Sequence, residues 1–209
     1  MDPINACFIS YRHTDADSQL FVKAFVRQLK KQLHLWLPNA RVYFDEEGLK
    51  VGDQYNEELA HELCRSACMV MFFLPLHFDV NHPYCAMEYR AMLELEQRRL
   101  GQGLTDLRNK GLIFPVVYRG LADLPQEIRD SRNYENFEHL YLETDFEQRD
   151  CHARLAELSK EIYGRYRALV NANLIHQDEC EQFRFPNLDA IRGWLESVSP
   201  ICAFQMPRH

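Results

Sequence analysis

Glycine is scarce in this chain, with eight in 209 residues, about 4% against an average of about 7%. Neither G-x-G-x-x-G nor G-x-x-x-x-G-K-[S/T] occurs, which excludes the usual dinucleotide and P-loop phosphate cradles. The pairs Gly48/Gly52 and Gly101/Gly103 make no such fingerprint, and the G-x-S-x-G elbow of the hydrolases is missing. Basic charge is in deficit: 24 Lys+Arg stand against 31 Asp+Glu, for a formal charge of −7. An acidic chain has no general attraction for phosphate backbones or anionic membranes, so neither nucleic acid nor membrane is expected as a partner. The longest apolar run, Ala67 to Leu74, falls far short of the roughly 20 residues of a membrane helix. The first residues lack the basic stretch and apolar core of a secretory signal. Seven cysteines, an odd number without framework spacing, fit a reducing cytoplasm. His77 and His82 lie five apart, and Cys64 and Cys68 form a lone C-x-x-x-C with no second ligand pair; no metal site is expected. What remains is a soluble, cytoplasmic chain, long enough for one domain with an appendage and for a core that folds without staples.

Strand and helix signals alternate along the chain. Ala6 to Tyr11 reads as a first buried strand, followed by a polar loop, Arg12 to Asp17, that can cap the next element. Phe21, Phe25, Leu29, Leu33 and Trp36 form one face of a helix that Pro38 stops. Arg41 to Phe44 is a second strand, Asp45 to Gly52 a loop, and about Asp53 to Ser66 a helix burying Leu59 and Leu63. Met69 to Leu74 is apolar throughout, as expected of a parallel strand covered on both faces. Pro83 suits the start of a helix carrying Tyr84, Met87, Ala91 and Leu95 and closing near Gly101. Leu112 to Tyr118 is a fourth strand, starting or bending at Pro115, and Phe137 to Tyr141 a short fifth. Leu155 to Leu169 marks a long amphipathic helix; His176 to Gln182 reads as a loop and Leu188 to Val198 as a last helix. The alternation predicts an α/β fold: a flavodoxin-like, parallel five-stranded sheet with helices on both faces and a C-terminal helical extension. Residues 1–170 form the domain and 171–209 the partly helical extension.

The segment H-P-Y-C-A-M-E-Y-R, His82 to Arg90, carries the chemistry. Ligands of open parallel sheets sit beyond the carboxyl ends of the strands. Tyr84 and Glu88, four apart, share a helix face there. An aromatic plate beside a carboxylate suits a ligand with a flat cation. The plainer alternative is a surface Glu88 paired with Arg90 or with Arg12.

Three boxes in this order resemble the TIR domain family. They are C-F-I-S-Y followed by Arg12; Y-F-D-E-E-G-L-K-V-G-D, similar to the second box and BB loop; and P-Y-C-A-M-E, similar to W-C-x-x-E with Tyr84 where Trp is usual. The resemblance covers about Ile4 to Leu169 and leaves the last ~40 residues without a counterpart in a minimal TIR domain. It has two implications. Many TIR domains are non-catalytic modules that signal by self-association. Bacterial and plant members, and one animal axonal branch, cleave NAD+ between nicotinamide and ribose, and their essential Glu maps onto Glu88. A stand-alone chain of this size resembles the TIR subunit of Thoeris-type antiphage defence, whose product is a messenger for a separate effector.

On this resemblance Glu88 is the catalytic residue, and Tyr84, Cys85, Ser10, Tyr11, Arg12, Phe44 and Asp45 bind substrate. NAD+ is the substrate and no cofactor is needed. Nicotinamide leaves neutral, so one carboxylate can suffice to hold the ribose hydroxyls and stabilise the charge developing on the sugar. Arg12 faces the pyrophosphate or forms a surface salt bridge; Phe44 completes the pocket or belongs to the core. The loop Asp45 to Gly52, with Leu49 and Val51 at its tip, is expected to mediate self-association, unless these two fold back onto the core. A receiver-like domain ranks last, because Asp45-Glu46-Glu47 follows the second strand rather than the third.

Overall fold

The computed structural model describes residues 4–39, 41–46, 53–101, 104, 107, 111–140, 146 and 149–199. Five parallel strands, β1 (Asn5–Ser10), β2 (Arg41–Tyr43), β3 (Ser66–Phe73), β4 (Ile113–Val117) and β5 (Glu135–Asn136), lie in the order β2-β1-β3-β4-β5. This is the doubly wound, flavodoxin-like arrangement the alternation predicts. Seven helices are described: α1 (Ala16–His34), α2 (Asp53–Cys64), α3 (Tyr84–Gly101), α4 (Gln126–Ser131), α5 (Arg149–Asn171), α6 (Gln177–Gln182) and α7 (Leu188–Val198). Helix α1 packs with α5 and α2 with α3, against β1 and β3.

The central strands are buried at every residue, so neither alternates polar with apolar side chains. In register, Phe8 faces Met69 and Ser10 faces Met71, which leaves Ser10 at the carboxyl edge. Helix α1 starts where the Asp15 side chain accepts from Ser18 N at 2.8 Å, satisfying a first-turn donor. Its buried stripe, Phe21, Phe25, Leu29 and Leu33, meets an aromatic cluster in which Phe25 lies edge-on to Phe72 at 4.6 Å and Phe146 packs on Phe21 at 4.8 Å. Among the described residues, no helix is long and apolar enough to cross a membrane.

Several expectations are corrected. Trp36 lies beyond the end of α1, 44% exposed and stacked on Tyr163 at 5.5 Å, instead of on the buried stripe. Strand β4 spans Pro115, which pairs in register with Met71, and β5 joins only at Val116 and Val117. The fifth strand is Glu135–Asn136 rather than Phe137 to Tyr141. Phe137 and Leu140 are both buried, but Leu140 N donates to Phe137 O at 3.0 Å, so their spacing of three is that of a turn. Gln177–Gln182 is a helix instead of a loop, and its Cys180 forms a disulfide with Cys64 at the end of α2. That bond crosses 116 residues of sequence, a pairing that the spacing of the cysteines does not signal. The four remaining described cysteines are buried and form no disulfide. Helix α7 closes on α3 through Trp194, which stacks on Tyr89 at 5.6 Å.

Candidate active site

In this strand order the chain reverses direction across the sheet beside β1, and a crevice opens between the carboxyl ends of β1 and β3. Three segments converge there: Tyr11 to His13 leaving β1, Asp45 beyond β2, and the loop from β3 into α3 with that helix's first turn. They border a cavity of about 130 Å³. Phe8, Ile9 and Leu59 supply apolar lining, and Tyr11, Arg12, His13, Asp45, His82, Tyr84, Cys85 and Glu88 the polar and aromatic remainder.

Glu88 is buried, and Ser10 Oγ donates to its Oε2 at 2.6 Å. This is its hydrogen-bond partner among the described residues; neither Arg90 nor Arg12 takes the role. Arg90 lies over the Trp194 ring at 5.3 Å instead. Burial pushes the Glu88 carboxyl up to about 8, helped by the charge of Asp45 and opposed by the Ser10 hydrogen bond. Burial thus favours the protonated form, and a cation entering the cavity favours its ionisation. Tyr84, half-buried one helical turn earlier, borders the same cavity. Cys85 is buried and borders the cavity, and its thiol is raised well above its ordinary value by burial first and by Glu88 next, which disfavours the thiolate form.

Tyr11 donates its hydroxyl to the Asp45 backbone oxygen at 2.6 Å, tying the end of β1 to the start of the loop after β2. Phe44 does not border the cavity; it packs on the Tyr11 ring at 5.1 Å and lines a groove along α1. Ser10 lies behind the cavity and meets it through Glu88. Arg12 borders the cavity while its Nη1 donates to Leu76 O at 2.6 Å and its Nη2 pairs with Asp79 at 3.0 Å. Arg12 is thus ion-paired to a buried carboxylate and also borders the crevice.

Sequence reasoning missed His13, Leu59, His82 and the buried Asp79 behind them. His82 stands inside the quoted segment, immediately before Pro83, and that adjacency was the available signal. Asp79 had none, because its partner Arg12 lies 67 positions away. Residues Glu47 to Gly52, including Leu49 and Val51, lie outside the described residues. Among the described residues, no group of three or more His, Cys, Asp or Glu side chains is arranged to hold a metal ion.

No curated protein and no solved structure gives a significant match. A family model described as TIR domain matches residues 7–155, a span that includes both strand ends and the whole of α3. The match covers well over half of the sequence, and the chain belongs to the TIR domain family.

Proposed function

We propose that this protein is an NAD+-consuming enzyme that cleaves the bond between nicotinamide and ribose, with Glu88 as the catalytic carboxylate. The observation that carries the reading is a buried carboxyl, held by Ser10 at 2.6 Å and bordering a cavity one helical turn from Tyr84. Burial of a carboxylate with one hydroxyl partner is costly, and a merely structural position would be better filled by an apolar side chain.

The chemistry follows from the groups. The nicotinamide ring of NAD+ is a flat cation, which the Tyr84 face attracts. Its charge draws Glu88 into the ionised form, and the carboxyl proton leaves to solvent. As the carbon–nitrogen bond breaks, its electron pair goes to the ring and nicotinamide departs neutral. Positive charge then builds on the ribose, where the Glu88 carboxylate stabilises it and accepts hydrogen bonds from the ribose hydroxyls. The second product is ADP-ribose, a cyclic ADP-ribose isomer or an ADP-ribosyl conjugate, according to the nucleophile that reaches the sugar. No further cofactor takes part. Self-association through the loop Asp45 to Gly52 completes the pocket in this reading, and the product serves as a defence signal for a separate effector.

Mass spectrometry of the products after incubating the purified chain with NAD+ tests the proposal. Nicotinamide with one of the three ribosyl products supports it. NAD+ recovered unchanged across protein concentrations from micromolar upward would point to a non-catalytic interaction module.

A further inference from the structure

The mouth of the cavity holds a polar cluster that the chemistry at Glu88 does not use. Asp79 is buried, with a side-chain exposure of 5%, and three groups converge on it. Its Oδ1 accepts from Asn81 N at 2.9 Å. Its Oδ2 lies 3.0 Å from Arg12 Nη2 and 3.0 Å from His82 Nδ1. Arg12 Nη2 and His82 Nδ1 are themselves 3.1 Å apart. The Asn81 and His82 hydrogen bonds and the Arg12 charge outweigh the cost of burial and hold the Asp79 carboxyl below its ordinary range.

The cluster sorts itself by exposure. Asp79 is inside, Arg12 is largely covered at 14%, and the His82 side chain is 64% exposed. Arg12 and His82 both border the cavity, whereas Asp79 does not. A guanidinium carries five N–H groups. Arg12 Nη1 donates to Leu76 O, and Nη2 lies within reach of both Asp79 Oδ2 and His82 Nδ1. Nε–H and the second hydrogen on Nη1 have no partner among the described residues. On His82, the contacts engage Nδ1 and leave Nε2. Asp79 thus spends a buried charge on fixing Arg12 and His82 at the rim.

A cavity of about 130 Å³ cannot enclose a dinucleotide, since pockets for ligands of drug size run to roughly 300–1,000 Å³. With the nicotinamide and its ribose beside Tyr84 and Glu88, the next chemical group outward is the diphosphate, and it must pass over the rim. A planar guanidinium held at one orientation suits paired phosphate oxygens. Resting on the NAD+ reading above, we propose that Asp79 is a positioning residue which locks Arg12, with His82 braced against it, into a diphosphate clamp. The clamp makes the site select dinucleotides over nicotinamide ribosides lacking the diphosphate.

The test is a specificity ratio, kcat/KM for NAD+ divided by kcat/KM for nicotinamide riboside, measured for the wild type and for Asp79→Asn, His82→Gln and Arg12→Lys. The clamp requires the wild-type ratio to fall at least tenfold in Asp79→Asn, mainly through a higher KM for NAD+, and to fall also in Arg12→Lys, because an ammonium cannot make the forked contact. A structural role would lower both substrates together and leave the ratio unchanged; an unchanged ratio in every folded variant overturns the proposal. Where Asp79→Asn does not fold, the exposed His82→Gln and Arg12→Lys decide by the same criterion. If no substrate is cleaved, the enzymatic reading fails on its own, and calorimetry with ADP-ribose judges the clamp. Binding at least tenfold weaker in the variants supports it. Equal binding, or none to the wild type, overturns it.

Discussion

Replacing Glu88 by Gln should make the protein more stable, by an amount that grows with pH. The carboxyl is lifted from its ordinary 4.5 to about 8, chiefly by burial. Between those two values the folded chain holds a proton that the unfolded chain has lost, so stability falls as pH rises through that window. Below pH 4.5 both states are protonated and the position costs nothing. At pH 7 the cost is roughly 3 kcal/mol, and above pH 8 it approaches about 5 kcal/mol. Gln cannot ionise, and its amide oxygen can still accept from Ser10. His77 acts in the opposite sense. Burial and the nearby Arg12 charge outweigh the Phe72 carbonyl and pull it down to about 3, so its contribution is present above pH 6.5 and is lost as pH falls toward 3. Subtracting the variant's stability from that of the wild type cancels His77 and isolates Glu88. Urea denaturation followed by far-ultraviolet circular dichroism at pH 4.5, 6, 7 and 8.5 gives this difference. The two proteins should agree within about 1 kcal/mol at pH 4.5. At pH 7 the variant should melt several degrees higher, at about 2–4 °C per kcal/mol for a chain of this size. A difference that stays flat with pH, or a variant less stable at pH 8.5, would refute the burial argument. A residue that weakens the fold at working pH yet remains a carboxylate fits a functional position.

Three further outcomes are expected. Tyr84→Ala should lower kcat/KM for NAD+ by about 5- to 30-fold, the equivalent of 1–2 kcal/mol of ring–cation attraction, while Tyr84→Phe and Tyr84→Trp retain most activity; steady-state kinetics decide, and a Phe variant as impaired as Ala would transfer the role to the hydroxyl. Reducing the Cys64–Cys180 bridge, or Cys180→Ser, should destabilise the chain by up to about 5 kcal/mol, since the bond closes a span of 116 residues; hydrogen exchange should rise first in residues 177–199, and a urea midpoint insensitive to dithiothreitol would contradict the bridge. Leu49→Asp should leave the melting temperature in place while activity falls and its dependence on protein concentration changes; a sharp drop in melting temperature, with activity tracking the folded fraction, would make the loop part of the core.

Local signals were read well where one element determined them. The buried stripe of α1 and the unbroken apolar run of β3 follow from spacing alone, and the parallel sheet follows from their alternation. Tyr84 and Glu88 were legible for the same reason, because four residues on a helix always share a face. The errors fall where distant partners decide. Phe137 and Leu140 look like strand residues until the turn joining them is seen. Residues 177–182 lack apolar periodicity and pack through Cys180, whose partner is on another helix. Asp79 resembles any loop aspartate until the sheet order brings Arg12 beside it. The resemblance implies a substrate-binding Ser10; its hydrogen bond to Glu88 needed the register of β1 against β3.

The central claim is that Glu88 carries the cleavage of NAD+, and free nicotinamide is its most direct readout. The wild type and Glu88→Gln should be incubated with NAD+ at matched, fully folded concentrations, and nicotinamide release followed by chromatography. Losing a charge that stabilises the transition state in a water-poor cavity is worth about 3 kcal/mol or more, so the variant should be slower by at least two orders of magnitude. Nicotinamide release from the folded Gln variant at the wild-type rate would contradict the account.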